Sequence, residues 1–344
     1  MSNRSLRRIR TVDSHTEGNP TRVIVDGVAV PPGDNLLERR DWLKAHDDGM
    51  RRMVNFEPRG SGLMCSVLLL PPDSPEADFA AIIMEQDEYV PMCGHCIIGA
   101  ATTVVSEGMV AVTEPVTTVR FDTPAGLVAC EVRVESGKIG SVSFENVESF
   151  LLVERAPIDV EGFGRIEIDV AYGGDLYAFV DGDALGLDLG IHNDGTLIDA
   201  WLKIRAAVGE QVETIHPDDP SINRCYQVLF TSSGKTVGDY RHTVLVPPGT
   251  LDRSPCGTGT SARVALLYQR GEIGLNEPKR FEGPLGTCFV GEAAGSEVRN
   301  GTRFTRPRIT GRAYITGYHQ FVLDPADPLP EGYRVGPAPR DLSQ

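Results

Sequence analysis

The chain has 344 residues, 41% of them hydrophobic and 24% charged, which is the composition of an ordinary soluble globular protein and a length that suits two α/β domains. A formal net charge of -15, from 33 basic against 48 acidic residues, repels nucleic acid and anionic membrane, so neither is an expected partner. An anionic ligand would have to be held by backbone groups rather than by a basic patch.

The opening stretch MSNRSLRRIRTVDSHTEGNP carries basic residues without an apolar segment behind them, so no secretory leader is read. No run of roughly 18 apolar residues exists to span a bilayer. Gly (37) and Pro (24) are plentiful, as expected for many strands joined by tight turns. TRVIVDGVAV reads as a strand, and Leu36, Leu43, Met50 and Val54 recur at helical multiples, predicting one amphipathic helix over 36–54. CSVLLLPP and FAAIIME are further strands. GHCIIGAATTVVSEG, apolar nearly all round, predicts a buried helix after Cys93 that ends at Gly108. TTVRFDT, GLVACEVRV and IGSVSFENV follow as strands.

The turn-like ESGKIG marks a domain boundary, placed between residues 140 and 141. The first domain is thus 1–140 and the second 141–324, with a segment of about 325–344 expected to pack back on the first. GRIEIDVAYGG and LYAFVDG open the second strand series. Leu197, Trp201, Ile204 and Val208 then predict a helix capped by Asn193 or Asp194. After YQVLFT and HTVLVPP, Cys256 introduces GTGTSARVALLYQRG, a second helix with a buried start, ending at Gly271. GRAYITGYHQFVL is the last strand. Two helices that begin after a Cys-Gly, and the echo of VLLLPPD (67–73) in VLVPPG (244–249), point to an internal duplication.

Seven cysteines, at 65, 93, 96, 130, 225, 256 and 288, lack a disulfide rhythm, so reduced thiols in the cytoplasm are expected. Cys65, Cys130 and Cys225 read as buried small hydrophobes. The tetrapeptide Cys93-Gly94-His95-Cys96 admits three chemistries. A redox dithiol would want a small βαβ setting and an oxidising compartment. A zinc site needs four ligands, and no second C-x-x-C or H-x₃₋₅-H accompanies it, so no metal is expected. Cys96 falls one helical turn beyond Cys93 in an apolar run, as a core cysteine would. The third chemistry joins Cys93 to Cys256. Each lies at the N-terminus of a buried helix, where unpaired N–H groups and the macrodipole favour a thiolate. The N–H groups of Gly94, His95, Gly257 and Thr258 can hold a carboxylate, with glycine after each cysteine permitting close approach. One sulfur on each face of the neighbouring carbon would remove a proton from one side and return it from the other.

MCGH (92–95) and DRSPCGTGTSA (252–262) resemble the two signature stretches of the proline racemase family. That family includes proline racemases, 4-hydroxyproline 2-epimerases and trans-3-hydroxy-L-proline dehydratases. DSHTEGNPTR (13–22), EPRG (57–60), TPAG (123–126), DVAYGG (169–174), HPD (216–218) and ITGYHQFVLDPADPLPEG (315–332) extend the resemblance almost end to end. It implies a diaminopimelate epimerase-like α/β (α+β) fold of two similar domains, each a curled sheet around a central helix, with the active site in the cleft between them. It also implies no cofactor, a small-molecule substrate (proline or hydroxyproline), and, at family level, a homodimer. Position by position, it puts the catalytic cysteines at Cys93 and Cys256, and it matches His95 and Asp252 to residues that hydrogen-bond the substrate's ring nitrogen. Without the resemblance, Asp252 reads equally as a turn residue and His95 as a cap contact. The chain departs from the family at Cys96, where Gly, Ala or Asn is usual, at Ser61, where His is common, and at Val246, which often is a pocket Phe. Dehydratase members typically carry Thr at the second cysteine position, so Cys256 favours racemisation or epimerisation over dehydration of trans-3-hydroxyproline. A thiol redox protein using Cys93 and Cys96 is the rival of another class.

Overall fold

The structure is a computed structural model that describes residues 7–234, 236–247, 249–324 and 326–334. In chain order the first elements are β1 (Arg7–Thr16), β2 (Asn19–Asp26), α1 (Leu36–His46), α2 (Asp48–Asn55), β3 (Cys65–Leu70), β4 (Phe79–Met84), β5 (Tyr89–Val90), α3 (Gly94–Ser106), β6 (Val116–Thr123), β7 (Gly126–Glu135) and β8 (Lys138–Glu145). There follow β9 (Phe150–Val160), β10 (Gly164–Tyr172), β11 (Leu176–Asp181), α4 (Asp194–Gln211), β12 (Gln227–Ser232), β13 (Tyr240–Val246), β14 (Thr250–Leu251), α5 (Gly257–Gln269), β15 (Lys279–Glu282), β16 (Cys288–Arg299), β17 (Thr302–Gly311) and β18 (Ala313–Leu323). The chain forms two compact units, one running to Ser143 and resuming at Arg312, the other Phe144–Gly311. The return to the first unit begins at Arg312 because β18 pairs along the whole of β1, from Arg7↔Leu323 to Thr16↔Ala313. Residues 335–344, expected to pack on the same unit, lie outside the described residues.

Within the first unit the strand order is β18-β1-β2-β3-β4-β6-β7, with pairings antiparallel, antiparallel, parallel, antiparallel, parallel and antiparallel. Helix α3 touches both ends of this ladder, β18 and β7, so the sheet curls around it. In the second unit the order is β9-β10-β11-β12-β13-β15-β16, with the same sequence of pairing directions, and β17 follows β16 antiparallel. Helix α5 touches β9, β10, β11, β16 and β17. The duplication is therefore present in the topology. The Pro-Pro echo is not its register, however: 67–73 begins within β3, the fourth strand of its ladder, whose counterpart is β12, whereas 244–249 begins within β13, the counterpart of β4.

Both units bury their sheets on two faces, which explains the near-continuous apolar runs. On β11, Leu176, Ala178 and Val180 join the core under α4, while Tyr177 and Phe179 join the core around α5. From α4, Leu197, Trp201, Ile204 and Val208 are buried as their spacing predicts, worth about 1.5–3 kcal/mol each. The single helix expected over 36–54 is broken at Asp47 into α1 and α2. At the break Asp47 has φ -139°, and the Arg7 guanidinium holds its carboxylate at 3.0 and 3.2 Å. Leu43, Met50 and Val54 still reach one core.

Candidate active site

The first site is built on the start of α3. Cys93 is its N-cap, in extended backbone, and makes no side-chain cap hydrogen bond. Its Sγ lies 3.1 Å from Nδ1 of His95 instead. The other ring nitrogen, Nε2, has the Asn19 side-chain amide at 3.1 Å and Cys96 Sγ at 3.5 Å. Thr16 Oγ1 donates to the His95 carbonyl at 2.8 Å, so the tip of the β1–β2 hairpin fixes the first turn. That hairpin is held by a buried Arg22–Asp13 ion pair at 2.7 Å, and Arg22 also donates to the Arg59 carbonyl at 2.7 Å. The stretches DSHTEGNPTR and EPRG thus act as scaffold; removing one partner of such a buried pair costs about 3–5 kcal/mol.

Cys96 is fully buried, as expected, but it is not a plain core residue. It is the third residue of the helix, and an N3 side chain reaches back to the N-cap, as in a capping box. Its hydrogen bond to Cys93 is the largest reason the Cys93 thiol is held well below its ordinary range, against burial and with the help of His95. Burial and the thiols around it push Cys96 itself well up. Cys65 is not mere packing either. The parallel register Thr21↔Cys65 carries it beside His95 and Cys96, and a hydrogen bond from Cys96 lowers its thiol to about 7. Burial works against charge on His95, yet the Cys93 and Cys65 sulfurs raise its pKa well above the usual imidazole value. The half-buried Glu85 carboxyl is driven well up by desolvation and by the same two sulfurs.

The second site is built on the start of α5. Cys256 is the N-cap at φ 62°, a left-handed conformation that costs a non-glycine residue about 1–3 kcal/mol. Its sulfur accepts from the Gly259 N–H at 3.3 Å. A Cβ on Gly259 would meet Val244 Cγ2 at 3.1 Å and that sulfur at 3.3 Å, so glycine is what admits the approach. The Tyr177 hydroxyl lies 3.6 Å from Cys256 Sγ and 2.6 Å from Thr258 Oγ1. Tyr177 faces α5 through the alternation of β11. Asp252 accepts from the Ser254 N–H at 2.8 Å and hydroxyl at 2.9 Å, and Ser254 Oγ accepts the Cys256 N–H at 3.1 Å. Asp252 therefore organises the turn that sets Cys256. Burial first, and the Asp252 charge second, push the Cys256 thiol up to about 12. In the DVAYGG stretch, a Cβ on Gly173 would sit 2.2 Å from the Thr258 carbonyl, so only glycine lets the turn after β10 pass this close to the first turn of α5.

The helix starts bring Gly94 and His95 together with Cys93, and Gly257 and Thr258 with Cys256. Asn19, Cys65, Glu85, Tyr177 and Ser254 were not anticipated, although Asn19 and Ser254 sat in stretches already singled out. Ser61 is exposed and offers its carbonyl to Gln86 Nε2 at 2.9 Å, and Val246 packs against the cluster containing Cys256. Among the described residues no helix is long and apolar enough to cross a membrane.

The family profile described as "Proline racemase" matches residues 11–334. A 4-hydroxyproline 2-epimerase of Streptosporangium roseum is 45% identical over 330 residues, covering 96% of this chain and 99% of that protein. A proline racemase of Clostridioides difficile is 37% identical over 328 residues, covering 95% and 98%. Among solved structures, a hydroxyproline epimerase of Agrobacterium vitis with bound trans-4-OH-L-proline superimposes with a TM-score of 0.85 at 33% identity, covering 96% of each chain.

Proposed function

The chain belongs to the proline racemase family, and on that premise we propose that it inverts Cα of a free cyclic amino acid, 4-hydroxyproline or proline, by proton transfer between Cys93 and Cys256. One observation carries this most directly: each duplicated unit has a cysteine as N-cap of a buried 13-residue helix, one thiol lowered and the other raised. Such a pair starts as one base and one acid. The mechanism requires the two half-sites to meet on opposite faces of one substrate.

The Cα–H of an amino acid is a weak acid, and a secondary amine such as proline's offers no route to a pyridoxal Schiff base. Here the substrate carboxylate lies among the first-turn N–H groups of Gly94, His95, Gly257 and Thr258. His95 and Asp252 bind the ring nitrogen, keeping it protonated, so the developing carbanion is stabilised electrostatically. The Cys93 thiolate takes the Cα proton, Cys256 delivers its own to the other face, and the opposite enantiomer runs the exchange in reverse. No cofactor or metal takes part. The relative named for 4-hydroxyproline supports that substrate first.

The test is a parallel assay of proline, the 4-hydroxyprolines and trans-3-hydroxyproline, following optical rotation and keto or imine product. Epimerisation of 4-hydroxyproline is expected, unaffected by a chelator. In D₂O the product should gain deuterium at Cα before the remaining substrate does. Dehydration of trans-3-hydroxyproline alone, or early label in recovered substrate, would overturn the proposal.

A further inference from the structure

Cys65, His95 and Cys96 place two sulfurs and a ring nitrogen all within 4.8 Å of one another, each residue buried. The chain positions 65 and 95–96 are remote in sequence, so local spacing gave no sign of a ligand set. A tetrahedral zinc ion, with Zn–S about 2.3 Å and Zn–N about 2.0–2.1 Å, holds neighbouring S and N ligands roughly 3.6 Å apart. The Cys96 Sγ–His95 Nε2 separation is 3.5 Å. Two thiolates and an imidazole are also the donor set that thiophilic divalent ions prefer over Mg²⁺ or Ca²⁺. From this geometry we propose that the first turn of α3 and the start of β3 form a binding site for one Zn²⁺ or Cd²⁺ ion, and that occupancy shuts the enzyme down.

The ion forms bonds to Cys65 Sγ, Cys96 Sγ and Nε2 of His95, and the protons on those two thiols and on that ring nitrogen leave to solvent. The Asn19 amide, now 3.1 Å from Nε2, gives way at that nitrogen. Binding rests on the cluster alone. Inhibition rests on the function proposed above: the ion fixes the His95 ring, which stands 3.1 Å from the Cys93 sulfur and is proposed to bind the substrate nitrogen. This is a regulatory or poisoning site, not a resident cofactor, and it is compatible with turnover in a chelator.

Binding is read without turnover, by titrating the reduced full-length protein with Cd²⁺ and following the thiolate-to-metal ultraviolet band. One equivalent should saturate the band, with an intensity of two thiolates. Cys65→Ala and Cys96→Ala should each weaken binding at least about 100-fold, as expected for loss of one ligand of a small set. Cys65→Ser, with circular dichroism on every variant, separates ligand loss from unfolding, and Cys288→Ala, which removes a half-buried thiol elsewhere, should leave the band intact. For inhibition, the Zn²⁺ concentration that halves the rate should rise at least about 100-fold in Cys65→Ala, each variant measured against its own zinc-free rate. A band that survives in both Cys65→Ala and Cys96→Ala, or that needs Cys288, would overturn the site. A saturating band without loss of turnover would overturn the inhibition alone. Failure of every amino acid in the substrate assay would overturn the proposed function and leave the Cd²⁺ result standing.

Discussion

In α3 the two residues after Cys93-Gly94 are His95 and Cys96; in α5 the corresponding pair after Cys256-Gly257 is Thr258 and Gly259. The helices are of equal length, and both close with the same glycine-terminated bonding, Gly108 to Val105 with Met109 to Val104, and Gly271 to Tyr268 with Glu272 to Leu267. The helix bodies are thus alike, while the N-cap backbone, extended at Cys93 and at φ 62° at Cys256, and the two side chains that follow differ. An imidazole and a thiol around Cys93 favour its anion. Around Cys256 the neighbours are hydroxyls, apolar atoms and, at longer range, the Asp252 charge, and one backbone N–H does not offset burial and that charge. A helix N-terminus is therefore not sufficient to ionise a cysteine; burial and the polar and charged groups around the sulfur decide it.

The largest test of this contrast removes each sulfur in turn. Cys93→Ser and Cys256→Ser should each slow epimerisation by at least about 10²–10⁴-fold, the usual worth of a positioned acid or base. Steady-state rates in both directions check it, and full activity in either variant would break the pairing of the two sites.

Alkylation sharpens the comparison. At pH 7 ionisation favours Cys93, whose thiol is lowered, over Cys256, whose thiol is raised, and the greater nucleophilicity of the more basic sulfur cancels only part of that advantage. Peptide mapping after brief iodoacetamide treatment should therefore find Cys93 modified first. Labelling at Cys256 should climb with pH through the alkaline range toward about 12, because its thiolate is scarce until then. Equal labelling at neutral pH would contradict the assigned difference.

Two smaller changes act on one site each. Tyr177→Phe removes the hydroxyl shared by Thr258 and Cys256 and should lower kcat about tenfold, the value of one hydrogen bond, with the Cys93 alkylation rate unchanged. Cys96→Ala removes the donor that lowers Cys93. Since a bond to a charged acceptor is worth about 1.5 kcal/mol, the pH at which Cys93 becomes reactive should move up by about one unit, read from the pH profile of alkylation. A downward movement would show that Cys96 opposes the thiolate.

Both helix starts and both glycine ends were legible in the sequence, because an apolar run bounded by Cys-Gly and Gly is a local signal. The duplication was legible as well, but its register was not: Pro-Pro follows two strands that occupy different places in their sheets. The break at Asp47 left no trace because the apolar periodicity runs through it, and the ion-pair partner of Asp47, Arg7, is 40 residues away. The partners of His95 were hidden for the same reason. Cys65 looks like any core cysteine until β3 is laid beside β2, and Cys96 looks like helix packing until its position relative to the N-cap is fixed. Pairings across the sheet, not local spacing, assemble the chemistry.

The pairing of β18 with β1 bears on how the polypeptide comes off the ribosome. The second unit is one uninterrupted segment and can fold as soon as Gly311 has emerged, whereas the first unit waits for a strand made some 300 residues after its partner. Until then β1, ten residues long, presents an open edge on one side, the kind of edge that captures other strands. Chains cut short before β18 should therefore aggregate during synthesis, even though every residue of both helix starts has already been made.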